Sequence, residues 1–397
     1  MSITAVLCVR NEAAFLLDWL AWHRSVGVTD FVVVSNECED GTDTMLDRLE
    51  ALGWLTHIRN APPYGNGGIQ FSGLKLANKC DAVKQTDWLL TLDIDEFVNV
   101  HVGDRTLPAL INALPDATAI TLTWRNFGNA GVLAYEDAPV PLQFTRAGPR
   151  PLHWPWRASM FKTLYRNDRT YRNLGVHRPR NTVDARLPEA RWFDGEGRAL
   201  PPEMASGRIF SDYRVPQHGL VQLNHYPLGS VESYVLKADR GRAVHSADRL
   251  GLDYWVERNL NTGEDRSALP LWDRVQPIRT ALGADPELAA LHDASVAWRK
   301  ARFRTLLDQD VYRDLYGRLM MTPPSSPLPE AVARLLIDFA QNTPVSGEET
   351  PYTPPYFGSI LPKSLINPFV KQRPVNRHET MRTCGPCRTE PIHTRFP

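Results

Sequence analysis

Over the first 125 residues, short unbroken apolar runs alternate with segments whose apolar residues recur every three or four positions. Residues 3–9, 31–34, 54–58, 88–92 and 119–123 are continuous apolar or near-apolar stretches of strand length. Between them, Phe15, Leu16, Trp19 and Leu20 share one helical face. Met45, Leu46, Leu49 and Leu52 share another, behind Asp40, a residue type that caps helices. Residues 69–85 read as a third helix. A strand that is apolar throughout must be covered on both faces, and strands joined through helices run parallel. The pattern predicts an α/β fold, a mostly parallel sheet with helices on both faces. Such sheets bind ligands beyond the carboxyl ends of their strands, so the residues after each apolar run carry the functional information.

Beyond Phe127 the pattern changes. Residues 127–226 are rich in Gly, Pro, Arg and aromatic side chains and predict irregular strands and loops, with one strand at 219–223. Residues 231–240 and 253–261 read as short helices, 295–321 as an amphipathic helical region stopped by Pro323 and Pro324, and 328–339 as a last helix. The expected organisation is an α/β half at 1–130, a second half of the same domain at 131–240, C-terminal helices at 241–345, and an irregular Pro-rich tail at 346–397. The final 27 residues hold six Lys/Arg against two Asp/Glu and predict disorder. Forty-five Lys and Arg balance forty-five Asp and Glu, so a strongly basic nucleic-acid binder is excluded as a class. The apolar start is broken at once by Arg10, Asn11 and Glu12, unlike a secretory signal. Residues 13–22 include Asp18 and fall short of the ~18 needed to span a bilayer. With five cysteines, an odd number, of which Cys8, Cys38 and Cys80 are scattered, this predicts a cytoplasmic protein with reduced thiols and no transmembrane segment.

Three strand ends stand out. Residues 88–92 run into Asp93-Ile94-Asp95-Glu96, and carboxylates one residue apart at a strand end can share a hard divalent cation such as Mg²⁺ or Mn²⁺. Asp308-Gln309-Asp310 has the same form inside a helical stretch and serves as a control without a role. The first strand ends in Cys8-Val9-Arg10-Asn11-Glu12 and opens a helix, where backbone N–H groups favour an anion. The second ends in Ser35-Asn36 and continues to Asp40-Gly41-Thr42; Asn36 could pair with a base or ribose.

Taken in order, these three segments resemble the family 2-like glycosyltransferases of the GT-A fold. The pattern of Trp19–His23 and Gly27, with Asp95-Glu96-Phe97, looks most like the subset related to bacterial capsule and family 92-type enzymes. The resemblance implies a nucleotide-sugar donor, a divalent metal (Mn²⁺ or Mg²⁺) and glycosyl transfer to a hydroxyl acceptor, in polysaccharide or glycan synthesis. It implies that Cys8, Arg10, Asn11 and Glu12 hold the nucleotide, that Asn36 sits near the base, and that Lys75 faces the diphosphate. Asp93 would meet ribose or metal-bound water, and Asp95 the metal. Enzymes of this fold often add a late histidine to the metal. His225 is the candidate, with His177 as rival. Lys162 and Arg125 are candidates for donor phosphate or acceptor. Inverting transfer needs a carboxylate base opposite the leaving diphosphate; Glu136 and Asp137 are candidates, with Asp194 and Glu196 as alternatives.

Other classes stay open at this level. A nucleotidyltransferase shares the sheet and the paired carboxylates, but usually has a Gly-rich basic loop after its first strand, and residues 8–12 contain no glycine. A nucleotide- or sugar-binding module without turnover needs the same Asp93 and Asp95. A redox reading rests on Cys384-Gly385-Pro386-Cys387 alone, in a Pro-rich tail without the βαβ setting such pairs need.

Overall fold

The computed structural model describes residues 1–342, apart from 66, 208, 213 and 242–249. The tail beyond Asn342, with the Cys384/Cys387 pair, lies outside the described residues. The strands that form the main sheet are β1 (Ile3–Val9), β2 (Asp30–Asn36), β3 (Thr56–Asn60), β4 (Trp88–Leu92), β5 (Glu96–Val100), β6 (Ala119–Asn126), β7 (Phe161–Arg166) and β8 (Val221–His225). Their order is β3-β2-β1-β4-β7-β6-β8-β5, with Trp192–Phe193 pairing beside β6. Only β7 and β5 run against the others.

The expected layers form. Along β1, Ile3, Ala5, Leu7 and Val9 enter one apolar cluster with α1 (Ala13–Ser25) and α2 (Thr42–Ala51). Val6 enters the opposite cluster with Leu74 and Ala77 of α3 (Gly68–Ala77). This is the period-two alternation of a strand buried on both faces. The predicted 69–85 helix is instead two, α3 and α4 (Asp81–Gln85), separated by a break at 78–80. After α5 (Leu107–Ala113) come α6 (Val231–Arg240), α7 (Leu252–Arg258), α8 (Trp272–Gly283), α9 (Pro286–Leu306), α10 (Asp310–Met321) and α11 (Glu330–Asn342). The single 295–321 region thus divides into α9 and α10, and α8 was not predicted. A third cluster joins Tyr234 and Val235 of α6 to Trp255, Phe303 and Leu319. No helix among the described residues is long and apolar enough to cross a membrane.

Two further strands change the predicted layout. β7, from the stretch read as irregular, lies in the centre of the sheet between β4 and β6. The sheet therefore crosses the expected boundary at residue 130. β6 pairs with β7 through Ala119–Thr123 and with β8 through Trp124–Asn126, so one strand serves two sheet segments. Between β4 and β5 lie only Asp93, Ile94 and Asp95. Four chain steps reach roughly 14 Å, whereas crossing three intervening strands of a flat sheet needs about 19 Å. The sheet must curl at β6 for this short link to close.

Candidate functional site

β1, β2, β4, β6 and β8 are co-directional, so their carboxyl ends share one edge. That edge gathers residues 10–12, Asn36, Asp93–Asp95, Asn126 and His225.

Asp93 is held by two partners. Gln70 Nε2 donates to Oδ1 at 3.1 Å and Lys162 Nζ to Oδ2 at 2.8 Å. Lys162 has no exposed surface. Its ammonium also donates to Val176 O at 2.9 Å and lies 3.5 Å from Glu96 Oε2. Burial works against its charge, but Asp93 and Glu96 outweigh it and raise its pKa. Its two hydrogen bonds and its second ion pair all lie inside the protein, and Lys162 does not reach out toward a phosphate. Glu96 is fully buried, which pushes its pKa up against the pull of Lys162. Its oxygens accept from Trp124 Nε1 at 2.6 Å and from Asp93 N at 2.8 Å, contacts that favour the ionised form. Trp19 Nε1 donates to the carbonyls of Asp93 (3.2 Å) and Glu96 (3.1 Å), and Trp22 Nε1 to Val98 O (2.8 Å), so α1 clamps the backbone of the Asp-x-Asp turn.

Asp95 faces the other side of the turn. Lys237 Nζ donates to Oδ2 at 2.7 Å, and His225 Nε2 lies 3.9 Å from Oδ1. The His225 ring stacks on Trp124 with centroids 4.0 Å apart, and Nδ1 pairs with Asn126 Oδ1 at 3.2 Å. Asn126 Oδ1 can only accept, so Nδ1 carries the proton and the lone pair of Nε2 faces Asp95. Burial keeps the ring neutral well below the usual histidine pKa. The rival His177 packs edge-on against Trp124 at 5.7 Å and pairs through Nδ1 with Phe161 O at 3.1 Å; burial lowers its pKa to about 4.

Asp95 opens into a cleft that also receives Asn11, Glu12, Glu136, Lys237, Arg240 and Arg299. Glu12 is buried in an ion pair with Arg240, whose guanidinium also donates to Arg10 O at 3.2 Å. Asn11, in the left-handed region at φ 54°, accepts from Glu39 N at 2.7 Å. Asp40 ties the two loops together: it accepts from Ala13 N and Thr42 N, each at 3.0 Å, and so serves the starts of α1 and α2 at once.

The other sequence candidates fall in different surroundings. Asn36 is buried, with Nδ2 on Val9 O at 2.9 Å and Oδ1 accepting from Asn60 at 2.6 Å, which leaves its amide committed to the strand ends. The Cys8 thiol is pushed up to about 12, by burial first and then by Asp93, and stays protonated. Lys75 is exposed on α3. Arg125 is buried against Asp265 (3.0 Å) and Pro149 O (3.3 Å), an internal brace and not a cleft residue. Glu136 is exposed at the cleft, whereas Asp137 faces His292 Nε2 at 3.0 Å. Asp194 accepts from Glu196 N and Arg198 N, and Glu196 from His218 N and Gly219 N, so both organise a turn.

Sequence reasoning missed Gln70, Trp124, Lys237, Arg240 and Arg299, and gave Glu96, though it stands in the acidic motif, no role of its own. One signal was present. Ser233, Lys237 and Arg240 recur at helical spacing on α6 and form its cleft-facing stripe.

Residues 4–189, just short of half the chain, match the family model "Glycosyltransferase family 92". A glycosyltransferase family 92 protein of Oryza sativa subsp. japonica is 24% identical over 136 residues, 33% of this chain and 22% of the relative. One from Ricinus communis is 23% identical over 148 residues, 34% of this chain and 24% of the relative. The chain thus spans less than a quarter of the length of these relatives. Among solved structures, S. aureus TarS in complex with UDP-GlcNAc is 14% identical over 42% of this chain and 46% of that one, with a TM-score of 0.26. Glucosyl-3-phosphoglycerate synthase from Mycobacterium tuberculosis, solved with Mn²⁺ and UDP, is 18% identical over 31% and 44%, with a TM-score of 0.22. Overlays at that level carry no weight for the function of this chain.

Proposed function

We propose that this chain moves a sugar from a nucleotide-sugar donor to a hydroxyl acceptor such as a glycan, on a GT-A-like scaffold and with Mn²⁺ or Mg²⁺. The observation that carries the reading is the Asp93-x-Asp95 turn at the carboxyl end of β4, inside the segment that matches the family 92 model.

The donor set fits a divalent cation. Asp95 Oδ1 offers a carboxylate oxygen and His225 Nε2 a lone pair, oriented through Nδ1 by Asn126. No group of three or more His, Cys, Asp and Glu side chains clusters as a metal site among the described residues. Donor phosphate and water would fill the remaining positions, as they commonly do for Mg²⁺. When bound, the cation supplies charge stabilisation to the departing diphosphate.

The chain's own residues would do the rest. Lys237 adds a fixed positive charge beside Asp95, and Lys162 anchors Asp93 toward ribose or bound water. The loop of Cys8, Arg10, Asn11 and Glu12 borders the nucleotide, with Lys75 beyond it. Glu136 is the better placed base, because Asp137 is engaged by His292. A carboxylate oxygen takes the acceptor hydroxyl proton, the hydroxyl oxygen bonds to the anomeric carbon, and the bond from that carbon to the diphosphate breaks with its electron pair. Attack opposite the leaving group inverts the centre.

A donor screen tests this. The full chain, Mn²⁺ and a panel of nucleotide sugars should release nucleoside diphosphate for at least one donor. No release, and no nucleoside diphosphate binding by calorimetry, would overturn the proposal.

A further inference from the structure

Most charges that border the cleft are already matched. Asp95 has Lys237, Glu12 has Arg240, and Asp239 has Arg302 and Tyr312. Arg299 of α9 differs. It is only 5% exposed, yet no carboxylate among the described residues lies within ion-pair distance of it. Its one hydrogen bond among the described residues runs from Nη2 to Ser233 Oγ at 3.3 Å, and its Nε–H is buried without a partner. Asp40 acts on it through space, but both Asp40 oxygens already accept from Ala13 and Thr42. Glu136 reaches the same cleft without pairing with Arg299.

A buried cation without a counter-charge is costly, and unmet guanidinium donors add to that cost. The surroundings hold it in place all the same. The guanidinium carbon lies 4.5 Å from the centroid of the Phe15 ring and 4.9 Å from that of Tyr135. The two rings meet edge to face, 82° between planes with centroids 6.1 Å apart, so the guanidinium sits in the corner they form, and contact with both stabilises its charge. The N–H groups turned away from the two rings are left to bond, and a guanidinium edge matches a carboxylate or phosphate with two parallel hydrogen bonds. The first turn of α6 cannot take this role, because Val231 N and Glu232 N already donate to Val132 O and Leu133 O.

We propose that Arg299, held in the corner formed by Phe15 and Tyr135 and steadied by Ser233, is the seat for an oxyanion of the substrate. The anion is either the donor diphosphate or a carboxylate or phosphate on the acceptor. This deepens the transferase reading and rests on it, since it gives the same cleft an anionic ligand.

Calorimetry on the full chain tests it without turnover, with UDP, inorganic phosphate and glucuronate as probes and Arg299→Gln and Arg299→Lys as variants. At least one probe binds the parent, and Arg299→Gln weakens it about tenfold or more, the scale of a charged hydrogen bond. Arg299→Lys, which keeps the charge but loses the fork, falls between. A loss confined to UDP identifies the donor diphosphate. A loss for phosphate or glucuronate with UDP unchanged identifies an acceptor anion. Affinities within twofold of the parent in Arg299→Gln overturn the proposal, as does a parent that binds none of the probes. If Arg299→Gln gives no cooperative melt, parent-like affinities in Arg299→Lys overturn it instead. Donor turnover with unaltered anion affinities defeats this inference alone; phosphate or glucuronate binding through Arg299, with neither turnover on any donor nor nucleoside diphosphate binding, defeats the transferase reading alone.

Discussion

At the scale of single residues, the protonation of His225 decides how the proposed metal site responds to pH. An imidazole with an ordinary pKa would lose its metal as pH falls through about 6.5. His225 is held neutral well below that by burial and by the positive Lys237 beside it. Apparent Mn²⁺ affinity, read from activity titrations, should therefore stay level between pH 7.5 and 5.5, and His225→Ala should lower it at every pH. A fall centred on pH 6.5 in the parent would mean that another, exposed group controls the metal. Asp95→Asn should remove metal-dependent turnover by about a hundredfold or more, the scale of lost charge stabilisation at a reacting centre. Asp308→Asn, exposed at the end of α9, should be silent. Equal activities in the two variants would place the chemistry elsewhere. Lys162→Met leaves Asp93 and Glu96 without their shared cation and should cost about 3–5 kcal/mol at neutral pH. Burial raises the pKa of Glu96, so its unfavourable charge grows with pH above the unfolded value and is relieved below it. In the parent that raised pKa is about 8, with Lys162 pulling it down, and without Lys162 it rises further, so the deficit of the variant, measured by denaturant melts, should grow from pH 7 to pH 9.5; a constant deficit would show that Lys162 acts by packing alone.

At the scale of elements, α3 sits close against the sheet. A Cβ at Gly73 would meet Val34 Cγ1 at 3.0 Å and Cys8 Sγ at 3.2 Å, the side chains of the two strands beneath it. Gly73→Val should destabilise by about 1–3 kcal/mol through overpacking, seen as a lower melting temperature. An unchanged or raised value would show that α3 can lift at no cost. The same scale explains what the sequence disclosed. The βα units from β1 to β4 were legible because each is local: a both-faces-buried strand and an amphipathic helix announce themselves within a few residues. β5 was hidden because Glu96 and Asn99 are buried polar groups paid for by distant partners, Trp124 for one and Ser267 for the other. β7 was hidden in the same way, since Lys162 in a strand reads as a surface residue until Asp93 is seen beside it. α8 was masked by Pro277 inside it. In the site, Asp93, Asp95 and His225 were visible because they end strands. Arg299 was not, because an arginine in a long helix looks solvated until Phe15, from α1, and Tyr135 are folded against it.

At the scale of the whole molecule, several buried histidines couple stability to acid. Burial lowers His23 to about 3 and His177 and His218 to about 4. Their contribution is complete above the unfolded value of about 6.5 and is lost as pH falls below it, because the unfolded chain takes up protons that the folded one refuses. Each adds about 1.4 kcal/mol of loss per pH unit once well below 6.5. Melting temperature should fall steadily from pH 6.5 to pH 4.5, and a flat profile would contradict the burial of these rings. The three-residue link from β4 to β5 has a different consequence, for chain length. Both of its ends are fixed in hydrogen-bonded ladders, through β4 with β1 and β7 and through β5 with β8, and α1 grips its backbone. No slack remains to absorb an added or missing residue. An insertion at Ile94 would shift Asp95 out of reach of His225 or break the start of β5, whereas one beside Gly53, where no atom lies within 4 Å of the missing Cβ, leaves the sheet in register. The turn that holds the carboxylates therefore constrains how many residues may stand between the two strands as strictly as it constrains which ones, and insertions and deletions should be rarest where the sheet curls.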